Sequence, residues 1–188
     1  MIYKPLFCVC GTYGVGKLAI ANNLIARKSN QYIVLNGEIT NTPFLPGNGG
    51  KMRQLWNDVC FDVAFQTGRS VVYYINSYVD VHENIPDEKL SQMHFITLIC
   101  EESVLRKRVS EKWGNFATNK VVGSEMSWAE MAVLRNRYFK TYHDEHPFRN
   151  MILIDTTDMT IDEAANQVEV YIKQQINLFN QQIKLDAD

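Results

Sequence analysis

Between residues 11 and 18 the chain reads GTYGVGKL, directly behind a short apolar run, LFCVC (6–10). Gly11, Gly14 and Gly16 free the backbone to wrap an anion with its N–H groups pointing inward. A helix opening at Lys17 turns its positive end to the same point, and Lys17 adds a full charge suited to β- and γ-phosphates. The spacing GxxxxGK between a strand and a helix is the Walker A arrangement. It predicts that Gly11, Thr12, Tyr13, Gly14, Val15, Gly16, Lys17 and Leu18 bind a nucleoside triphosphate, with ATP and Mg²⁺ as the expected pair. A glycine-rich turn with an incidental lysine has the same letters, but the strand before and the helix after are the context that phosphate binding requires. The pattern departs at one letter. Leu18 stands where a serine or threonine hydroxyl normally binds Mg²⁺.

The elements that must hold this loop follow from the alternation of apolar runs and helical patterns. Strands are expected at LFCVC (6–10), YIVLN (32–36), SVVYYI (70–75), HFITLIC (94–100) and MILID (151–155). Helices are expected over about 17–27, 51–67, 101–113 and 127–144, with a short one within 86–91. A last amphipathic helix begins behind Thr160, where TIDE forms a capping box with Glu163. The tail QQINLFNQQIKLDAD turns polar and is expected to fray. Strands separated by helices imply parallel βαβ crossovers, hence a three-layer α/β/α fold around a five-stranded parallel sheet.

Composition narrows the class. The 188 residues are 46% hydrophobic with a formal charge of −2, enough for one domain with a full core and no face built for nucleic acid. No segment reads as a membrane span or a cleaved leader, so a cytoplasmic location and no membrane partner are expected. Cys8, Cys10, Cys60 and Cys100 show no CxxC spacing, and Cys8 and Cys10, on one face of a strand, read as core residues.

LFCVCGTYGVGKLAIANNLIA resembles the opening of the nucleoside-monophosphate-kinase-like P-loop proteins. That group includes adenylate, shikimate and gluconate kinases, chloramphenicol phosphotransferase and the tunicamycin-resistance type. VLRKRVSEK (104–112) is similar to the helix that starts their lid, with Arg108 and Lys112 at its basic positions. LRNRYFKTY (134–142) resembles the helix that closes it, where arginines touch the transferring phosphate, which makes Arg135 and Arg137 candidates. ILIDTTDMTIDEAANQV (152–168) looks like the last strand, nucleotide-base loop and final helix. The resemblance implies one domain over 1–188, a lid over about 106–137 and an acceptor-binding segment over about 37–68. Lys17, Glu38, Arg108, Arg135 and Arg137 are then the candidate catalytic residues. Glu38, just past the second strand, would accept the proton of an attacking hydroxyl; as an ordinary loop glutamate it would do nothing.

Two departures bear on the metal. Leu18 removes the direct hydroxyl ligand, and Asn76 stands where many relatives carry an acid. Mg²⁺ keeps several waters, so a water in place of the hydroxyl, with Glu38 or Asp80 in place of the acid, is one solution. An inactive nucleotide binder is the other. On the acceptor side no arginine follows the third strand, and Arg53 with Lys51 is the only basic cluster. A neutral hydroxyl acceptor (a nucleoside, a sugar or an antibiotic-like molecule) fits that better than a nucleoside monophosphate or a nucleic-acid end. Arg53, Asn76 and Tyr78 join Glu38 as candidate substrate contacts. Phe61 and Phe65, four apart on a helix, read as core.

Three further features have plainer readings. HDEH (143–146) is a helix end with no third metal ligand signalled. RKR (106–108) is too short for a nucleic-acid patch and suits a phosphate-clamping lid. GNFATNKVVGSEMS, between Trp113 and Trp128, reads as a mobile lid or a disordered loop.

Overall fold

The computed structural model describes residues 4–37, 49–75, 87–145 and 150–185, without the side chains of 49–54, 87 and 88. The strands are β1 (Leu6–Gly11), β2 (Tyr32–Asn36), β3 (Ser70–Tyr74), β4 (Met93–Ile99) and β5 (Met151–Asp155). The helices are α1 (Lys17–Ala26), α2 (Gly49–Thr67), α3 (Asp87–Leu90), α4 (Glu102–Trp113), α5 (Trp128–Glu145) and α6 (Ile161–Leu185). All strand pairs are parallel, in the order β2-β3-β1-β4-β5. The five-stranded parallel sheet expected from the alternation is present, and no strand end differs from expectation by more than one residue.

β1 is the centre of the sheet and all six of its residues are buried. Alternation divides its side chains between two cores. Phe7 and Val9 join Ile20, Leu24, Ile96, Leu98, Leu105, Val168 and Ile172 on one face. Leu6, Cys8 and Cys10 join Cys60, Phe61, Tyr73, Phe95 and Phe139 on the other. A strand buried on both faces has no polar alternation, which is why LFCVC reads as a continuous apolar run. All four cysteines are free and buried, Cys8 and Cys10 as expected, and the Cys8 and Cys10 sulfurs lie 3.3 Å apart.

Local chemistry sets the helix ends. Thr160 and Glu163 form the expected capping box: the Thr160 N–H donates to Glu163 Oε2 (2.8 Å) and the Glu163 N–H to Thr160 Oγ1 (3.2 Å). Ser127 and Glu130 form a second one at the start of α5, at 2.7 and 3.2 Å. Glu169 ties α6 to α1 and β2 by accepting from Arg27 (2.7 Å) and the Tyr32 hydroxyl (3.0 Å). Burial alone would raise its pKa, but Arg27, Lys173 and Tyr32 hold it below the usual carboxylate value.

Three expectations need correcting. Phe61 is core, but Phe65 is 48% exposed. The tail does not fray at its glutamines: α6 continues to Leu185, and Lys4 bonds Asn180 (2.8 Å) while its ammonium lies over the Phe179 ring. The stretch after Trp113 is folded rather than irregular. It forms a 3₁₀ turn over Gly114–Thr118 and a Lys120–Ser127 antiparallel bridge, and Phe116 packs against Trp113 and Trp128.

Candidate nucleotide site

β1 carries the glycine loop to the carboxyl edge of the sheet, and α1 leaves from its far end. Gly11 has φ +142°, and a Cβ there would sit 2.6 Å from the Leu98 carbonyl oxygen. Gly14 has φ +83°, and a Cβ there would meet Val109 at 2.8 Å and Leu105 at 3.0 Å. Both positions therefore exclude a side chain by conformation and by contact, and the loop is pressed onto β4 and α4. Gly16 is the N-cap and Lys17 the first residue of α1.

Lys17 is 5% exposed, and its Nζ donates to the carbonyls of Gly11 (2.9 Å) and Thr12 (2.7 Å). A buried ammonium needs such acceptors, and these two fold it back over the loop. Thr12 Oγ1 is buried with no hydrogen-bond partner. Beside the loop lies a cleft of about 380 Å³, lined by Tyr13, Gly14, Gly16, Lys17, Leu18, Ala19 and Asn22, with Arg108 and Lys112 of α4 opposite. Among the described residues that lining contains three cations and no carboxylate, an environment that suits a polyphosphate.

Arg108 is where the lid-helix pattern expected it, and its partners are specific. Its Nη2 donates to the carbonyls of Thr156 (2.8 Å) and Thr157 (3.1 Å), and its Nη1 to Thr156 Oγ1 (3.2 Å). Thr156 Oγ1 also lies 3.3 Å from the Val15 carbonyl, so this one hydroxyl joins the phosphate loop, α4 and the segment after β5. Arg135 donates from Nη1 to the Tyr13 hydroxyl (3.0 Å) and lies over that ring, 5.3 Å from its centroid. Arg137 is elsewhere. Its Nη2 bonds Glu102 (2.6 Å) on the surface, and that hydrogen bond, with the Arg137 charge, holds the Glu102 pKa below the usual carboxylate value against the upward push of desolvation.

The loop, Lys17, Arg108 and Arg135 are thus brought together, and Arg137 is not. Glu38, Asn76, Tyr78 and Asp80, and the Arg53 side chain, lie outside the described residues. Thr156 and Asn136 were missed by sequence reasoning. Asn136 brackets the Cys100 backbone, accepting from its N–H (3.2 Å) and donating to its C=O (2.7 Å), where β4 ends. Its signal was readable: it falls in the buried stripe Ala132, Val133, Asn136, Phe139, a polar residue at an apolar position.

Leu18 is 43% exposed on the wall of the cleft. Among the described lining residues, side-chain oxygens come only from Tyr13, engaged by Arg135, and Asn22. This donor set does not fit a Mg²⁺ held directly by the protein on the loop side. Nor is there thiol chemistry at the site. Burial first, and then Cys8, push the Cys10 thiol well up, against the opposing pull of Lys17, so it stays protonated. Among the described residues no group of three or more His, Cys, Asp or Glu could hold a metal, and His143 Nδ1 of HDEH lies 3.6 Å from Asp144 Oδ1. No helix among them is long and apolar enough to cross a membrane.

Sheet order and loop geometry define a P-loop α/β fold of the nucleoside-monophosphate-kinase-like type. No protein-family model matches the chain, and no curated protein matches it in sequence. Solved structures do match in fold. A gluconokinase from Sinorhizobium meliloti 1021 superposes with a TM-score of 0.62 at 14% identity, over 96% of this chain and 99% of that one. A sugar kinase from Janibacter sp. HTCC2649 matches at 0.58 and 14% identity, over 90% and 95%. The thymidylate kinase of Candida albicans matches at 0.54 and 12% identity, over 93% of each chain.

Proposed function

We propose that the protein is an ATP-dependent phosphotransferase acting on a small hydroxyl-bearing acceptor such as a nucleoside, a sugar or an antibiotic-like molecule. The observation that carries this reading is the buried Lys17 ammonium over a loop whose two tightest glycines admit no side chain, facing a cleft lined by Arg108 and Lys112. The likeness of fold to a gluconokinase and a sugar kinase supports it. In this reading the loop amides and Lys17 hold the triphosphate, and Arg108 and Arg135 offset the charge that spreads over the transferring phosphoryl oxygens. Arg137 joins them only if its pair with Glu102 opens. Glu38 takes the acceptor's proton, and Arg53, Asn76 and Tyr78 contact the acceptor.

Leu18 on the cleft wall favours a second reading, a nucleotide-binding protein with impaired phosphotransfer. One experiment separates the two. Calorimetry with ATP, on wild type and Lys17→Ala, is paired with a screen of alcohol, sugar and nucleoside acceptors for transfer of labelled γ-phosphate. Binding weakened by about 1–3 kcal/mol in the variant, with a labelled product, establishes the kinase. Binding with no product across the screen establishes the impaired binder. Equal affinity of both proteins removes the loop from the site.

A further inference from the structure

Besides the close contact of Gly14 with α4, the phosphate loop reaches both lid helices through one large side chain. Tyr13 lies between Thr12 and Gly14, and its ring is met by Trp113 at 5.4 Å and by Trp128 at 5.5 Å. The two tryptophans meet each other at 5.6 Å, one ending α4 and the other opening α5. Arg135 follows Trp128 by two helical turns, on the same face of α5, and completes the enclosure. Its guanidinium lies over the Tyr13 ring, 5.3 Å from the centroid, and its Nη1 donates to the Tyr13 hydroxyl at 3.0 Å. A guanidinium carries five N–H donors, and the bond to the Tyr13 hydroxyl uses one of them, which leaves others for a phosphate.

We propose that Tyr13 is a positioning residue: it holds the Arg135 guanidinium at the mouth of the phosphate loop, aimed at the terminal phosphate of a bound triphosphate. The proposal rests on the nucleotide-binding reading above and goes beyond it, because it gives a loop side chain a part that its backbone does not play. An unrestrained arginine loses rotamer freedom when it meets a phosphate, whereas one already stacked and hydrogen-bonded loses little. The Trp113–Trp128 pair fixes the ring, the ring fixes the arginine, and the loop and lid helices therefore meet the terminal phosphate as one body.

The test is the preference for ATP over ADP, measured by calorimetry at fixed Mg²⁺ for wild type, Tyr13→Phe, Tyr13→Leu, Arg135→Ala and the double variant Tyr13→Leu/Arg135→Ala. A role confined to packing would weaken both nucleotides alike and leave their ratio unchanged. We expect Arg135→Ala to lose about tenfold of the ratio, Tyr13→Leu to lose the same, and the double variant to lose no more. Tyr13→Phe keeps the ring and loses only the hydrogen bond, so about threefold is expected; it also serves if Tyr13→Leu fails to fold. The proposal is overturned if Tyr13→Leu or Tyr13→Phe keeps the wild-type ratio, if the losses multiply in the double variant, or if Arg135→Ala has no effect on the ratio. Wild-type protein that binds neither nucleotide overturns the nucleotide reading itself, and this proposal with it.

Discussion

At Leu18 the structure poses a question of a single functional group. Its side chain lies on the cleft wall and is 43% exposed, so a smaller polar residue there loses little packing. Leu18→Thr restores a hydroxyl and is expected to tighten Mg²⁺-dependent ATP binding by about tenfold. The measurement is ATP affinity across a Mg²⁺ titration for both proteins, and identical responses would show that no metal approaches this position. A second residue-scale consequence concerns His94, stacked on Phe7 at 5.1 Å and 3.2 Å from the Tyr171 hydroxyl. Burial lowers its pKa from 6.5 to about 4. The unfolded chain therefore takes up a proton first as pH falls, and folding stability drops between about pH 6.5 and 4 by on the order of 3 kcal/mol, then levels. Urea unfolding at stepped pH should show this slope, flattened in His94→Gln. The fate of Arg137 was also legible at this scale. Residues two apart on a helix are about 200° apart around it, so with Arg135 on Tyr13, Arg137 leaves the other side of α5 and meets Glu102.

Between elements, Gly14 meets α4 closely. Gly14→Ala adds a methyl group at φ +83° into contact with Val109 and Leu105. It should lower stability by about 1–3 kcal/mol and weaken ATP binding as the loop is pushed off the helix. Thermal melts and calorimetry check this, and wild-type behaviour in both would mean that the contact yields freely. The same scale shows why Phe65 was misread. Phe61 and Phe65 taken as a pair suggest one face, but the buried positions of α2 are Asn57, Cys60, Phe61 and Ala64. At 100° per residue, Phe65 falls about 90° from the centre of that stripe. The whole stripe, not one spacing, carries the burial signal. The folded stretch after Trp113 was hidden for a different reason: its polar letters say loop, and only the third dimension brings Trp113 and Trp128 onto Tyr13 and Phe116 onto the two tryptophans.

For the whole molecule, a ligand that binds only the folded chain must raise its melting temperature. ATP at about 100 times its dissociation constant adds about 2.7 kcal/mol, which for a chain of this size is a shift of roughly 5–10 °C. Thermal denaturation with and without ATP reads it directly, and Lys17→Ala should lose most of it. The alternation of strands and helices was enough to read the layers and the parallel sheet from sequence. Strand order was not legible, because crossover handedness limits the path of the chain without choosing which strand each crossover skips. That order, with β1 in the middle, also governs how the molecule comes into being. As the chain leaves the ribosome, β1 emerges well before its partners, and both of its edges stay bare until Ser70–Tyr74 and then Met93–Ile99 follow. Bare, wholly apolar edges are what nascent chains aggregate through and what chaperones capture. The strand that carries the glycine loop is thus translated before its sheet partners and made rigid only after them, and its safe passage depends on the speed with which they follow.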